Sequence, residues 1–214
     1  MAKVAVMGAG SWGTTFAKIL ADAGNDVVIW ARREDVVDEI NSQHRNGDYL
    51  PGIRLPKSLS ATTDASAAMK GAEQIYLAVP SQSLRSNLEA WGATIPDAAI
   101  LVSLMKGVEK ETGLRMSEVI TDAIGVGEDR IVVVSGPNLS LEIAQEQPTA
   151  SVAASTNPEA ANAVATASSN SYFTTFTNKD VIGTEFGGIL KNLIAVAIGI
   201  VNGVGYGEHT KASD

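Results

Sequence analysis

Two lysines occupy positions where a charge needs a reason. Lys106 closes the apolar run Ala99–Met105 and precedes a glycine. Lys191 lies in Phe186-Gly187-Gly188-Ile189-Leu190-Lys191-Asn192-Leu193-Ile194-Ala195-Val196, an apolar segment with a helical pattern. An ammonium at the end of a buried strand can hold a phosphate or polarise a carbonyl. An ammonium within an apolar helix has its pKa lowered by burial, which suits it to proton transfer. Gly187 and Gly188 lie one turn back and leave room for a ligand or another backbone. Asn202 falls three turns on, near the same face. The alternatives are a solvated loop lysine for Lys106 and a lysine that snorkels to water for Lys191. Gly136-Pro137-Asn138 offers a backbone N–H and an amide to a polar substrate, or is simply a rigid turn before a helix.

A second constellation opens the chain. Gly8-Ala9-Gly10-Ser11-Trp12-Gly13 matches G-x-G-x-x-G between an apolar run and a helical pattern. In that context the first glycine permits the turn and the second lets a pyrophosphate approach bare backbone. The third lets helix and strand pack closely. The helix start adds free N–H groups and a partial positive charge. A plain strand–helix turn is the alternative. The end of the second strand selects the dinucleotide. An acid there would bind a ribose 2′-hydroxyl, but the chain reads Trp30-Ala31-Arg32-Arg33. Arginine forks suit a 2′-phosphate, so NADP(H) is the preferred cofactor and NAD(H) the second candidate. The competing reading has both arginines solvated and neutralised by Glu34 and Asp35.

The elements that must hold these groups follow from periodicity. Lys3–Met7, Asp26–Trp30, Gln74–Val79, Ala99–Ser103 and Ile131–Val134 read as buried parallel strands, with a weaker one near Ser60–Thr62. Helical patterns separate them at Trp12–Ala23, Arg33–Ser42, Leu84–Trp91, Gly113–Ala123 and Leu139–Glu146. Thr149–Ala154 and Tyr172–Phe176 are two further strands around a helix that begins after Pro158. The expected fold is α/β, a Rossmann-type doubly wound and mostly parallel sheet over residues 1–183. Residues 184–214 read as the first helix of a truncated helical second domain, with Thr184–Gly203 apolar nearly all round and therefore expected to be buried.

Composition narrows the functions. The 214 residues carry a net charge of −8, which argues against a nucleic-acid or anionic-membrane surface. No cysteine is present, so disulfides, thiolate catalysis and cysteine-ligated zinc are excluded. The two histidines, His44 and His209, are too few for a histidine metal site and read as solvated loop residues. The start has no signal-peptide pattern, and Leu193–Val201 is too short an apolar stretch to span a bilayer. A cytoplasmic protein is expected.

The motifs GAGSWGT (Gly8–Thr14), WARR (Trp30–Arg33), AVPSQ (Ala78–Gln82), KGVE (Lys106–Glu109), SGP (Ser135–Pro137), GILKN (Gly188–Asn192) and HTKA (His209–Ala212) occur in this order. With them the chain resembles the bacterial NAD(P)-dependent glycerol-3-phosphate dehydrogenases from end to end. The resemblance implies interconversion of dihydroxyacetone phosphate and sn-glycerol 3-phosphate, a phospholipid precursor. It implies cofactor contacts from Gly8, Gly10, Ser11, Trp12, Gly13, Arg32, Arg33, Lys106 and Ser140. It implies substrate contacts from Lys106, Gly136, Asn138 and Lys191, with Lys191 as the acid–base group and Lys106 steadying the developing oxyanion. It also implies a homodimer at full length. The chain departs from the family at Asn138-Leu139, where a small residue and an aromatic are usual, and at His209, where asparagine is usual. Family members continue into a helical domain that supplies further substrate contacts. Two rivals stand beside this reading. One is a hydroxyacid or sugar-nucleotide dehydrogenase of the same plan, and the other an NADP-binding module without chemistry.

Overall fold

The computed structural model describes residues 2–205. His209 and the HTKA stretch lie outside them. Strands and helices alternate from the start: β1 (Lys3–Met7), α1 (Ser11–Asp22), β2 (Asp26–Trp30), α2 (Glu34–Gln43), β3 (Leu59–Thr62), α3 (Ala65–Met69) and β4 (Gln74–Leu77). The chain continues through α4 (Leu84–Trp91), β5 (Ile100–Ser103), α5 (Met116–Ile124), β6 (Ile131–Ser135) and α6 (Ser140–Ala144). It then runs through β7 (Thr149–Ala154), α7 (Pro158–Ser168), β8 (Phe173–Asn178) and α8 (Val181–Val204).

All eight strands join one sheet in the order β3-β2-β1-β4-β5-β6-β7-β8. The Val- and Ile-rich strands are covered on both faces, as β4 and β6 show by being buried at every position. One core gathers Phe16, Ile19 and Leu20 of α1 with Tyr76 and Phe173. The other packs Met7, Ile75 and Leu77 against Leu88, Trp91, Val119 and Ile120. Side-chain caps fix several helix starts: Asp64 accepts from Ala67 N, Asn157 from Glu159 N, and Asp180 from Gly183 N. The strand order reverses between β1 and β4, which puts the glycine turn from β1 into α1 at the switch point of the sheet, where open α/β sheets bind ligands.

The expected α/β architecture is present, with four differences of detail. β7 runs antiparallel to β6, and β8 parallel to β7. The fifth helix begins at Met116, not Gly113, because Gly113 has φ +72 and the Val108–Arg115 bridge closes a small loop before it. The five-residue α3 is too short to show a period. Most consequential is α8. The apolar stretch Leu193–Val201 belongs to a helix of 24 residues, and by length and composition alone that helix is long enough to cross a membrane. It is also not buried as expected: Leu193, Val196 and Ile200 are all more than 60% exposed. Its first turns lie on β6 and β7.

Candidate active site

A cleft of about 980 Å³ opens beyond the carboxyl ends of β1, β2, β4 and β5. Its walls include Gly8, Gly10, Ser11, Trp12 and Gly13 from the turn and Arg32 and Arg33 from the end of β2. Lys106, Asn138 and Ser140 also line it. Ten of the expected residues thus meet in one place. Gly136 and Lys191 do not line the cleft, and reach it only through Lys106.

The turn is shaped by its glycines. Gly8 has φ +128, and a Cβ there would lie 2.6 Å from the Ala78 carbonyl oxygen. A Cβ on Gly13 would lie 1.9 Å from the Gly8 oxygen, so only glycine lets α1 approach this closely. Gly10 differs, since a Cβ there would meet nothing within 4 Å. The space beside it is open to the cleft. Gly10 is also the N-cap of α1 and has no side chain to satisfy the first-turn N–H groups. Bare backbone, open space and unsatisfied donors together fit a dinucleotide pyrophosphate.

The two arginines are held differently. Arg33 binds Asp35 through Nε at 3.0 Å and through a terminal nitrogen, and its other terminal nitrogen reaches Asp48 at 2.9 Å. Asp35 first and Asp48 second keep this guanidinium charged, while Arg33 holds the Asp35 carboxyl below the usual carboxylate range. Arg32 makes no ion pair among the described residues.

The loop after α2 folds back onto the glycine turn and brings Tyr49 to the cleft, a contact that sequence reasoning missed. His44 closes α2 in the left-handed conformation, with φ 53, and is half-buried rather than solvated. Asn46 is buried and donates from Nδ2 to the Ala9 oxygen at 2.9 Å and to Thr14 Oγ1 at 2.8 Å. Ser11 Oγ donates to the Tyr49 oxygen at 2.8 Å, and Tyr49 lines the cleft. The signal was faint: one asparagine within a polar, turn-rich stretch.

At the other end, Lys106 Nζ donates to the Gly136 oxygen at 2.8 Å and faces the Lys191 ammonium. Burial, and then the charge of Lys191, hold Lys106 below the usual lysine range. Two ammoniums side by side make a site for an anion or an electron-rich oxygen. Asn138 Oδ1 is buried nearby without a protein partner, while its Nδ2 reaches Ser151 Oγ at 3.4 Å. Gly188 lets α8 come close to Lys106. A Cβ there would lie 2.5 Å from Ser135 Oγ and 3.6 Å from Lys106 Cδ, so glycine lets α8 rest against the end of β6.

A buried carboxylate fastens α8 in that position. Glu185 accepts from Ser117 N at 2.9 Å, from Ser117 Oγ at 2.7 Å, and from Arg115 at 2.5 Å. It thereby fills the amino-terminal turn of α5. Glu185 stands six residues before Lys191 in a helix read mainly for its apolar face, and so escaped notice in the sequence.

The family model described as NAD-dependent glycerol-3-phosphate dehydrogenase N-terminus matches residues 3–161, and the corresponding C-terminus model matches residues 180–213. A protein of Leifsonia xyli named glycerol-3-phosphate dehydrogenase, NAD(P)+, is 64% identical over 208 residues, covering 97% of this chain and 56% of that protein. A protein of the same name from Corynebacterium aurimucosum is 55% identical over 213 residues, covering 100% of this chain and 64% of that protein. The crystal structure of glycerol-3-phosphate dehydrogenase from Coxiella burnetii superposes with a TM-score of 0.87 at 33% identity, covering 98% of this chain and 64% of that one. This chain therefore spans a little over half to under two thirds of the length of these relatives.

Proposed function

The chain belongs to the NAD-dependent glycerol-3-phosphate dehydrogenase family, and on that premise we propose that it carries the cofactor cleft and the acid–base group of an enzyme interconverting dihydroxyacetone phosphate and sn-glycerol 3-phosphate. Such an enzyme works in the cytoplasm and supplies a glycerophospholipid precursor. The observation that carries the reading is the placement of Lys106 against Lys191 at the edge of a cleft whose far end is the glycine turn.

In this reading residues 1–183 bind the cofactor and residues 184–214 begin the substrate domain. Gly8, Gly10 and Gly13 shape the backbone that receives the pyrophosphate, Ser11 and Trp12 flank it, and Ser140 closes the opposite wall. Arg32 and Arg33 face the 2′-phosphate, so NADP(H) is preferred and NAD(H) accepted. When bound, the nicotinamide supplies or takes the hydride. Lys191 gives a proton to the ketone oxygen in the reducing direction and removes it from the alcohol in the other. Lys106, steadied on the Gly136 carbonyl, stabilises the negative charge that develops on that oxygen. Gly136 and the unpartnered Asn138 Oδ1 orient the substrate hydroxyls. The substrate is a phosphorylated triose, and the full-length protein pairs as a homodimer.

Two measurements test this. Titration of the chain with NADPH and NADH, followed by tryptophan fluorescence, should show tighter NADPH binding, and Arg32→Ala should weaken NADPH by about tenfold with little effect on NADH. Equal losses would remove the 2′-phosphate assignment. In a chain extended to the length of its relatives, Lys191→Ala should lower kcat by about a hundredfold or more while nucleotide affinity holds. Unchanged turnover would remove Lys191 from the chemistry.

A further inference from the structure

Resting on the cofactor reading above, we propose that Asp48 is a specificity-determining residue, one that limits how strongly the cleft prefers a 2′-phosphorylated nucleotide. Arg33 stands where an incoming 2′-phosphate would arrive, yet it is already engaged. Asp35 takes Nε and one terminal nitrogen, and Asp48 takes the other terminal nitrogen at 2.9 Å. The two arginines thus meet the phosphate in the company of Glu34, Asp35 and Asp48. Arg32 is the cleft arginine without an ion pair among the described residues.

Asp35 and Asp48 differ in origin. Asp35 follows Arg33 by two residues and travels with it on the first turn of α2. Asp48 comes from the loop that folds back over the glycine turn, between Asn46, hooked to the Ala9 oxygen, and Tyr49, whose oxygen holds Ser11. Its carboxylate is therefore brought to Arg33 by the same segment that brings Tyr49 to the cleft. A 2′-phosphate must share Arg33 with it and stand beside its negative charge, whereas a 2′-hydroxyl meets neither obstacle. Asp48 weakens binding of the phosphorylated nucleotide and leaves the other untouched.

Asp48→Asn removes the charge, keeps an oxygen that can still accept from Arg33, and changes an exposed residue, so the fold is retained. NADPH and NADH are titrated against the wild type and the variant by tryptophan fluorescence at low and high salt. The variant should bind NADPH about three- to tenfold more tightly at low salt, as removal of one like charge several ångströms from a dianion implies. NADH affinity should not change, and the NADPH gain should shrink at about 0.5 M salt. An unchanged ratio, an equal shift of both nucleotides, or weaker NADPH binding would sink the proposal while leaving the cofactor reading in place. Failure of the wild type to bind either nucleotide would overturn both.

Discussion

α1 and α8 both carry candidate chemistry next to glycines, but they are held in opposite ways. α1 is buried from Gly13 to Ala21. Lys18 ties it to Glu146 at 3.0 Å while pairing at 2.6 Å with Asp22 of the same helix, and Tyr172 Oη donates to that Asp22. α8 is held over its first turns by Glu185 and by the close approach of Gly188, and beyond Lys191 it presents apolar side chains to the outside. The glycine-turn end of the candidate site is thus part of the core, whereas the Lys191 end rests on Glu185 and the close approach of Gly188.

Substitutions at each end can break that contrast. Gly13→Ala should have the largest effect, since its Cβ has no room beside the Gly8 oxygen. A loss of more than about 4 kcal/mol in denaturant unfolding is expected. Gly10→Ala sharpens the point: its Cβ meets nothing, so stability should change by less than about 1 kcal/mol while nucleotide affinity falls. Comparable destabilisation by both would mean that the turn is not shaped as described. Glu185→Ala should come next. It leaves the buried Ser117 N–H without its acceptor and Arg115 with Glu118 as its remaining ion-pair partner, which should cost about 3 kcal/mol. Amide exchange should then quicken along α8 but not along α1. Uniform quickening across both helices would deny that the clamp is local.

The smallest effect concerns the lysine pair. The folded protein holds the Lys106 pKa below its ordinary value. Its charged form is therefore disfavoured in the fold, and this penalty is fully present below the lowered pKa. It fades as pH rises from there towards the unfolded value of about 10.5. Stability should rise slightly over that window, and Lys106→Met should flatten the rise. An identical slope in wild type and variant would show that neither burial nor Lys191 disfavours the charged form of Lys106.

Much of this was legible in the residues. The Val- and Ile-rich runs of β1, β2 and β6 have period and length that admit little else, and the glycine spacing marks the turn that joins β1 to α1. Lys106 and Lys191 stood out because a charge interrupts an apolar run. What escaped has a common cause. Asn46, Asp48 and Tyr49 lie in a loop whose role arises only when it folds back over residues some 35 positions earlier, and no local pattern records such a contact. Glu185 looks like any helix glutamate until the amino terminus of α5 is brought to it. The exposure of α8 was misjudged because an apolar pattern states what a helix needs and not whether the need is met.

The antiparallel placing of β7 has a consequence for where Lys191 ends up. β6 climbs towards the cofactor edge, and with β7 and β8 both descending, the chain leaves β8 at the far edge of the sheet. α8 must therefore ascend along β6 before it can do anything else. Ten residues separate Val181 from Lys191, a climb of about 15 Å at 1.5 Å per residue, close to the height of a five-residue strand. The reversal works as a stairwell. Had β7 and β8 run with the other strands, the same helix would have started at the cofactor edge and carried its lysine away from the cleft.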